Sequence, residues 1–435
     1  MIAVRSVAPL VVAAMLLGGC GSFRKTEGVL RFGEDMPLTD SQRQQILKES
    51  TTALTVDAGP DVVSGLNDLG FKTLALVAEK QGQKNLCVSP LSIDLAVLLV
   101  QNGAAGTTKL GIASTLGLAK DNPDQVNEAA RNLRTVLLTA DPKVKLLLAN
   151  SLWTQKGASF KPEFLDSDSK FFHADVSDVD FGTPAGVKTI NDWVSQKTMG
   201  KIPTIIDGPQ PGMKLFALNA VYFKGSWTDP FNKSSTKDGD FTTVDYNKIQ
   251  APLMHRTGRF GYSESAGAQL LSIPYGSGRL SMVLYLPKTV SDVVFYAKSL
   301  DAKTWAQWMS GLRDQTVVVT MPKFKVEYNG LLNEPLEQLG MSDAFSANKA
   351  DFSGMTGNKG LYISKVIHRV TAEVNEEGTE ASAATGIGMM ATSPGPGYQP
   401  PPPPVFVADH PFLYAIRDNG TGAILFTGLL YDPRG

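Results

Sequence analysis

From Asp61 onward, apolar positions recur at helical spacing, at Val62, Leu66, Leu69, Phe71, Leu74 and Leu76, and predict a first amphipathic helix. Pro90 to Gln101 is apolar on nearly every side, the pattern of a helix enclosed by protein. Met282-Val283-Leu284-Tyr285-Leu286 and the β-branched run Val317-Val318-Val319-Thr320 predict strands. Helical and strand patterns mix without regular βαβ alternation, so the class expected is α+β rather than a doubly wound sheet. Neither an internal repeat nor a linker interrupts the pattern, and one large domain is expected over residues 61–435.

The N-terminal 60 residues follow a different pattern. Residues 1–19 hold a single Arg5 and a short apolar run, Ala8 to Leu17, too short to span a bilayer as an ordinary helix, which predicts an export signal. The run ends in Leu17-Gly18-Gly19-Cys20, which resembles a bacterial lipobox and implies lipid attachment at Cys20. Residue 21 is Gly rather than Asp, which favours the outer membrane in a diderm source. Residues 20–60 are polar, with one short helix expected near Ser41 to Lys48, and read as a spacer between lipid and domain.

Composition narrows the partners. Forty-one basic residues stand against 42 acidic ones, a net charge of -1, which argues against nucleic acid as the main partner. With Cys20 lipidated, Cys87 has no partner for a disulfide, and its apolar neighbours Leu86 and Val88 predict a buried, inert thiol. Enzymatic signatures are missing from the sequence: there is no Gly-x-Ser-x-Gly, His-Glu-x-x-His, Cys-x-x-Cys or phosphate-cradling loop, and only four histidines. Gly386 to Ala391 fits a relaxed dinucleotide pattern, but that pattern needs a helix to begin there, and Ser393-Pro394-Gly395-Pro396 forbids one. No enzyme activity, cofactor or metal is therefore expected.

Two segments near the C-terminus stand out. In Glu376-Glu377-Gly378-Thr379-Glu380-Ala381-Ser382-Ala383-Ala384-Thr385, one face of a strand would carry only Thr379, Ala381, Ala383 and Thr385, all small, while Glu380, Ser382 and Ala384 face the other way. Taken alone, the segment reads as a polar connector. A run without regular structure is expected from there to Pro411, including the donor-poor stretch Pro400 to Pro404, which reads as a stiff linker or as a ligand for a proline-binding domain. His368, between Ile367 and Val370, reads by itself as a core histidine.

The order of motifs along the chain resembles the serpin family. They are Asn85-Leu86-Cys87-Val88-Ser89-Pro90-Leu91-Ser92-Ile93 with Gly103 to Thr108, Ala149-Asn150-Ser151-Leu152-Trp153, Ile190-Asn191-Asp192-Trp193, and Leu218-Asn219-Ala220-Val221-Tyr222-Phe223-Lys224-Gly225-Ser226-Trp227. Met321-Pro322-Lys323-Phe324, Ala350 to Met355, the 376–385 segment and Asp409-His410-Pro411-Phe412 through Gly428 complete the series.

The resemblance implies three β-sheets with about nine helices and an exposed reactive-centre loop at about 376–408. It implies a hinge at Glu376 to Thr385, and a buried "shutter" cluster of Ser89, Ser92, Asn219 and His368 beneath the central sheet. It also implies a "breach", where Glu376 pairs with Lys323 near Trp227. His368-Arg369-Val370 departs from the family, where Lys and Ala are more usual. The implied activity is suicide-substrate inhibition, in which a serine or cysteine endopeptidase is trapped when the cut loop enters the sheet. A monomer with no catalytic residues is implied. The alternative is a non-inhibitory serpin-fold protein that binds or chaperones in the envelope.

A strand long enough for the sheet needs roughly 14 residues at about 3.3 Å each, some 45 Å. Counted from Gly378, that places the cut at Thr392-Ser393, with Met389, Met390 and Ala391 as alternatives. Gly386 and Gly388 weaken strand propensity. No Lys or Arg lies between Arg369 and Arg417, so elastase-, chymotrypsin- or subtilisin-like enzymes, or papain-like cysteine proteases, are the expected targets, and trypsin-like enzymes are not.

Overall fold

A computed structural model describes residues 60–118, 122–290, 292–379 and 401–435. Its longer helices are α1 (Pro60–Gln81), α2 (Pro90–Gly103), α3 (Gly106–Thr115), α4 (Pro123–Leu138), α5 (Pro162–Phe172), α6 (Pro184–Lys197), α7 (Asp292–Ser299) and α8 (Ala302–Gly311). The strands run in chain order from β1 (Leu86–Val88), β2 (Val144–Gln155), β3 (Asp175–Val179) and β4 (Leu215–Ser226) to β5 (Lys237–Thr242), β6 (Lys248–Glu264), β7 (Ala268–Tyr275) and β8 (Leu280–Pro287). They continue with β9 (Arg313–Pro322), β10 (Phe324–Leu331), β11 (Ile363–Asn375), β12 (Gly378–Thr379), β13 (Val405–Val407), β14 (Phe412–Asp418) and β15 (Ile424–Leu430).

Local chemistry sets the helix starts. Ser89 caps α2 by accepting from Ser92 N, and Pro90 follows at the first helical position, where its missing N–H goes unneeded. Thr183 and Pro184 begin α6 in the same way, with Thr183 Oγ1 accepting from Gly186 N. α2 is buried along almost its whole length, as its all-round apolar pattern predicts.

The central sheet has the order β10-β11-β12-β4-β2-β3. The other strands follow the path β1-β15-β14-β8-β7-β6-β9-β13, with β5 on β6. Hydrogen bonding thus joins two of the three expected sheets into one. The reason is the 17-residue β6, which pairs in turn with β5, β9 and β7. α2 packs against both β4 and β15, so the main core lies between the two sheets. A second apolar cluster covers the outer face of the central sheet. There Val187, Ile190 and Val194 of α6, with Ile202, Ile205, Ile206 and Met213 after it, pack on Trp153, Phe216 and Leu218.

The run expected to lack structure up to Pro411 contains β13, which pairs in parallel with β9 at Val405↔Val318 and Val407↔Thr320. Phe406 is fully buried, and its burial fixes this short strand. Pro404 contributes only a carbonyl, which accepts from Val318 N at 3.0 Å, while Pro401 to Pro403 are exposed. Cys87 is buried in β1, where the loss of solvation pushes its thiol pKa up to about 12.

Candidate functional site

β4 and β11 are neighbours with an interrupted ladder. At one end they pair in parallel, Ile363↔Leu215, Lys365↔Phe216 and Val366↔Ala217. At the other end β12 lies between them, antiparallel to both, with Thr379 opposite Gly225 and Val374 and with Gly378 opposite Ser226 and Asn375. Between those ends, residues 218–224 and 367–373 form no ladder with each other. The sheet therefore contains a slot that is closed at one end by direct pairing and is one strand wide at its mouth, which two residues already fill. The loop expected to be exposed from residue 376 instead begins with a turn at Glu376 and Glu377 and then places Gly378 and Thr379 in the sheet, where the edges of β4 and β11 offer them partners.

Gly378 sits at φ 144°, and a Cβ on it would lie 2.1 Å from Gly225 O, so only glycine fits. Thr379 is 3% exposed and points inward, its Oγ1 2.7 Å from the phenol oxygen of Tyr275. Burial raises the Tyr275 pKa, which keeps that phenol neutral. Tyr275 stacks on Trp227 with centroids 4.4 Å apart and meets Phe223 edge-on at 5.2 Å, an aromatic floor under the mouth of the slot. Trp227 Nε1 donates to Asn375 O at 2.9 Å, and its backbone N donates to Glu377 O at 2.9 Å.

Lys323 Nζ is 3.2 Å from Glu376 Oε1, and Thr236 Oγ1 donates to the same oxygen at 2.8 Å. Burial pushes the Glu376 pKa up, but the bonds from Thr236, the backbone and Lys323 together outweigh it and hold the carboxyl below its ordinary range. Glu377 pairs with the exposed Lys233.

A polar chain runs beneath the slot. Ser89 N donates to His368 Nε2 at 2.9 Å, Ser92 N to Ser89 Oγ at 3.3 Å, and Ser89 Oγ to Leu425 O at 2.6 Å. Ser92 Oγ bonds Asn219 Oδ1, Asn219 Nδ2 bonds Asn150 Oδ1, and Asn150 Nδ2 donates to Phe172 O at 3.0 Å. Because Nε2 of His368 accepts, its proton sits on Nδ1, and burial lowers the pKa to about 3, so the ring is neutral. Ser89, Ser92, Asn219 and His368 are thus one network, and Glu376 with Lys323 and Thr236 is another, beside which Trp227 is bonded to the flanking Asn375 and Glu377 carbonyls rather than to the pair itself. Sequence reasoning did not assign Asn150, Thr236 or Tyr275 to either. Asn150 alone had a signal, a polar residue inside the Ala149 to Trp153 motif.

Cys20, Glu380 to Thr385, and the bond candidates Met389, Met390, Ala391, Thr392 and Ser393 lie outside the described residues. Among the described residues no three His, Cys, Asp or Glu side chains gather to hold a metal, and no helix is long and apolar enough to cross a membrane.

A slotted sheet, a two-residue strand filling its mouth and a hydrogen-bonded cluster beneath it together describe the site. The family model described as Serpin (serine protease inhibitor) matches residues 64–433, and the chain belongs to the serpin family. Leukocyte elastase inhibitor A of Rattus norvegicus is 36% identical over 377 residues, covering 83% of this chain and 96% of that protein. Among solved structures, native tengpin, a thermophilic serpin, superposes with a TM-score of 0.76 at 29% identity over 85% of this chain and 94% of its own. Human thyroxine-binding globulin, solved with its ligand bound, superposes at 0.77 with 26% identity over 86% and 98%.

Proposed function

We propose that this protein is a suicide-substrate inhibitor of serine endopeptidases, and secondarily of cysteine endopeptidases, that traps the acyl-enzyme by inserting its cut loop into the central sheet. The observation that carries this reading is β12, because Gly378 and Thr379 already occupy the mouth of a slot between β4 and β11. A strand continuing from Thr379 would add ladders along residues 218–224 and 367–373, where β4 and β11 form none with each other, and supply the driving force. Loop insertion is the established mechanism of inhibitory members of this family.

The cut is assigned to Thr392-Ser393, or to a bond within Met389 to Ala391. The targets are assigned to elastase-, chymotrypsin- or subtilisin-like enzymes or papain-like cysteine proteases. The family relation to a leukocyte elastase inhibitor supports this target class. Lipid attachment at Cys20 and a spacer over residues 20–60 would hold the inhibitor at a bacterial envelope membrane.

The test is incubation with pancreatic elastase, chymotrypsin, subtilisin, papain and trypsin, followed by boiling in detergent. A covalent complex with at least one of the first four supports the reading. Cleavage without any complex rejects it in favour of a non-inhibitory binding role.

A further inference from the structure

β13 is held differently on its two sides. On one side its three residues pair with β9, from Val405↔Val318 to Val407↔Thr320, and Phe406 is buried. On the other side it has no ladder among the described residues, and side chains secure it instead. At the start of the strand, Gln269 Nε2 donates to Val405 O at 3.0 Å and to the Tyr262 phenol at 2.9 Å, and that phenol donates to Glu264 Oε2 at 2.9 Å. Just past its end, His410 Nε2 lies 2.6 Å from the carbonyl oxygen of Pro287, the last residue of β8, and Nδ1 lies 2.8 Å from Asp409 Oδ1. Between these two ties is a cavity of about 290 Å³ walled by Leu286, Pro287, Val405 and Val407, so packing adds little along this edge.

The partners of His410 fix its charge. The Pro287 carbonyl has no hydrogen to give, so Nε2 must donate. The half-exposed Asp409 carboxylate is an acceptor as well, so Nδ1 must also donate, and a ring that donates from both nitrogens is an imidazolium. Burial pulls the His410 pKa down, but the bonds to Asp409 and to the Pro287 carbonyl, with the Asp409 charge, outweigh it and raise the pKa above the ordinary 6.5. Other charged groups stand nearby. Glu264 and Lys288, at the ends of β6 and β8, line the same cavity and pair with each other at 3.5 Å, while Lys248 of β6 interacts with the Asp409 charge. Asp409 is itself held in place, since its carbonyl accepts from Thr242 N of β5 at 2.7 Å and the preceding Ala408 N donates to Thr320 O of β9 at 2.9 Å.

We propose that His410 is a pH-dependent clasp on β13: its charged, doubly donating ring ties the strand to the end of β8, and loss of one proton breaks one of the two bonds and loosens the strand. The neutral ring has a single N–H, so one of its two acceptors would face a lone pair. Because the folded pKa is raised, the clasp is complete below pH 6.5 and is lost as the pH climbs through the folded value. Above that value β13 should leave β9 more often, which uncovers residues 318–320 as a free strand edge. The clasp acts on the strand that follows the loop and holds whether or not the loop traps a protease.

The test combines two measurements on the full chain. The protein has four histidines, so the imidazole signal of His410 can be assigned in an NMR titration by its loss in His410→Gln. Its midpoint should lie above 6.5 and should fall in Asp409→Asn, which removes the facing charge. Hydrogen exchange of residues 405–410, corrected for the intrinsic effect of pH, should show protection that is level below pH 6.5 and drops by up to about tenfold per pH unit above the midpoint, while β14 stays unchanged. In His410→Gln the protection should be low and independent of pH. If that variant does not fold, Asp409→Asn decides, because the exchange midpoint must move down together with the NMR midpoint. A His410 midpoint below 6.5 in the parent, or an exchange profile that does not follow the ring in Asp409→Asn, overturns the proposal.

Discussion

The Thr379 hydroxyl and the Tyr275 phenol meet at 2.7 Å beneath the mouth of the central sheet, both buried. This pair is where the loop first commits to the interior. Thr379→Arg would place a cation against a neutral phenol and an aromatic floor, costing several kcal/mol. The variant should be cut at the parent bond by the same protease but release active enzyme, which a gel for the covalent complex and an assay of residual protease activity would reveal. Trapping equal to the parent would contradict the insertion mechanism.

Glu376 and Lys323 close the mouth from outside. Glu376→Lys sets two cations together at a partly buried site and leaves Thr236 without its acceptor. The mouth should loosen, and the strand edges it guards become available to other molecules. Size-exclusion chromatography after mild heating should show polymers of the variant under conditions where the parent stays monomeric.

His368 should make folding stability acid-sensitive. Its pKa falls from an ordinary 6.5 to about 3 in the folded state, so the unfolded chain binds the extra proton between those values. Its stabilising contribution is complete above pH 6.5 and is lost as pH falls toward 3, with a slope of up to about 1.4 kcal/mol per pH unit. Protonation at Nε2 also removes the acceptor for Ser89 N. Urea midpoints measured from pH 7 to pH 4 should fall more steeply in the parent than in His368→Gln.

Asp94, in the middle of α2, is fully buried, and neither of its carboxylate oxygens has a hydrogen-bond partner among the described residues. Burial raises its pKa well above the ordinary value. The folded state therefore holds a proton that the unfolded chain gives up above about pH 3.8, and stability declines with rising pH until the folded value is reached. Asp94→Ala should raise the thermal midpoint at neutral pH and flatten that decline. A midpoint lower than the parent's would show that the carboxyl has a stabilising partner.

Trypsin should neither form a complex nor cut within residues 380–400, because that stretch contains no Lys or Arg. Mass spectrometry of the digest would locate every cut. A stable trypsin complex alongside none with elastase would reverse the assigned specificity.

The sequence reveals the two networks unequally. Ser89, Ser92 and His368 are polar residues set in apolar stretches, and the family resemblance ties them to Asn219. Asn150, Thr236 and Tyr275 join through contacts between segments far apart in the chain, and no period or motif records such proximity. The early entry of Gly378 and Thr379 was illegible for a related reason. It depends on how far β4 and β11 stand apart, which is a property of the packed sheet. β13 was hidden by the prolines before it, since three residues are too few to show alternation. The merging of two sheets follows from β6 running on past one partner to the next, a continuity that hydropathy does not mark.

Cys87 provides a clock for the whole molecule. The thiol is sealed in β1, pairs through its backbone with Gly428, and is almost entirely un-ionised at neutral pH. An alkylating reagent can reach it only when the terminal strands separate, so its labelling rate counts global opening events and is blind to motion confined to the slot. A loop variant that changes trapping without changing this rate has altered only the spring, and one that quickens it has loosened the frame on which the spring is mounted.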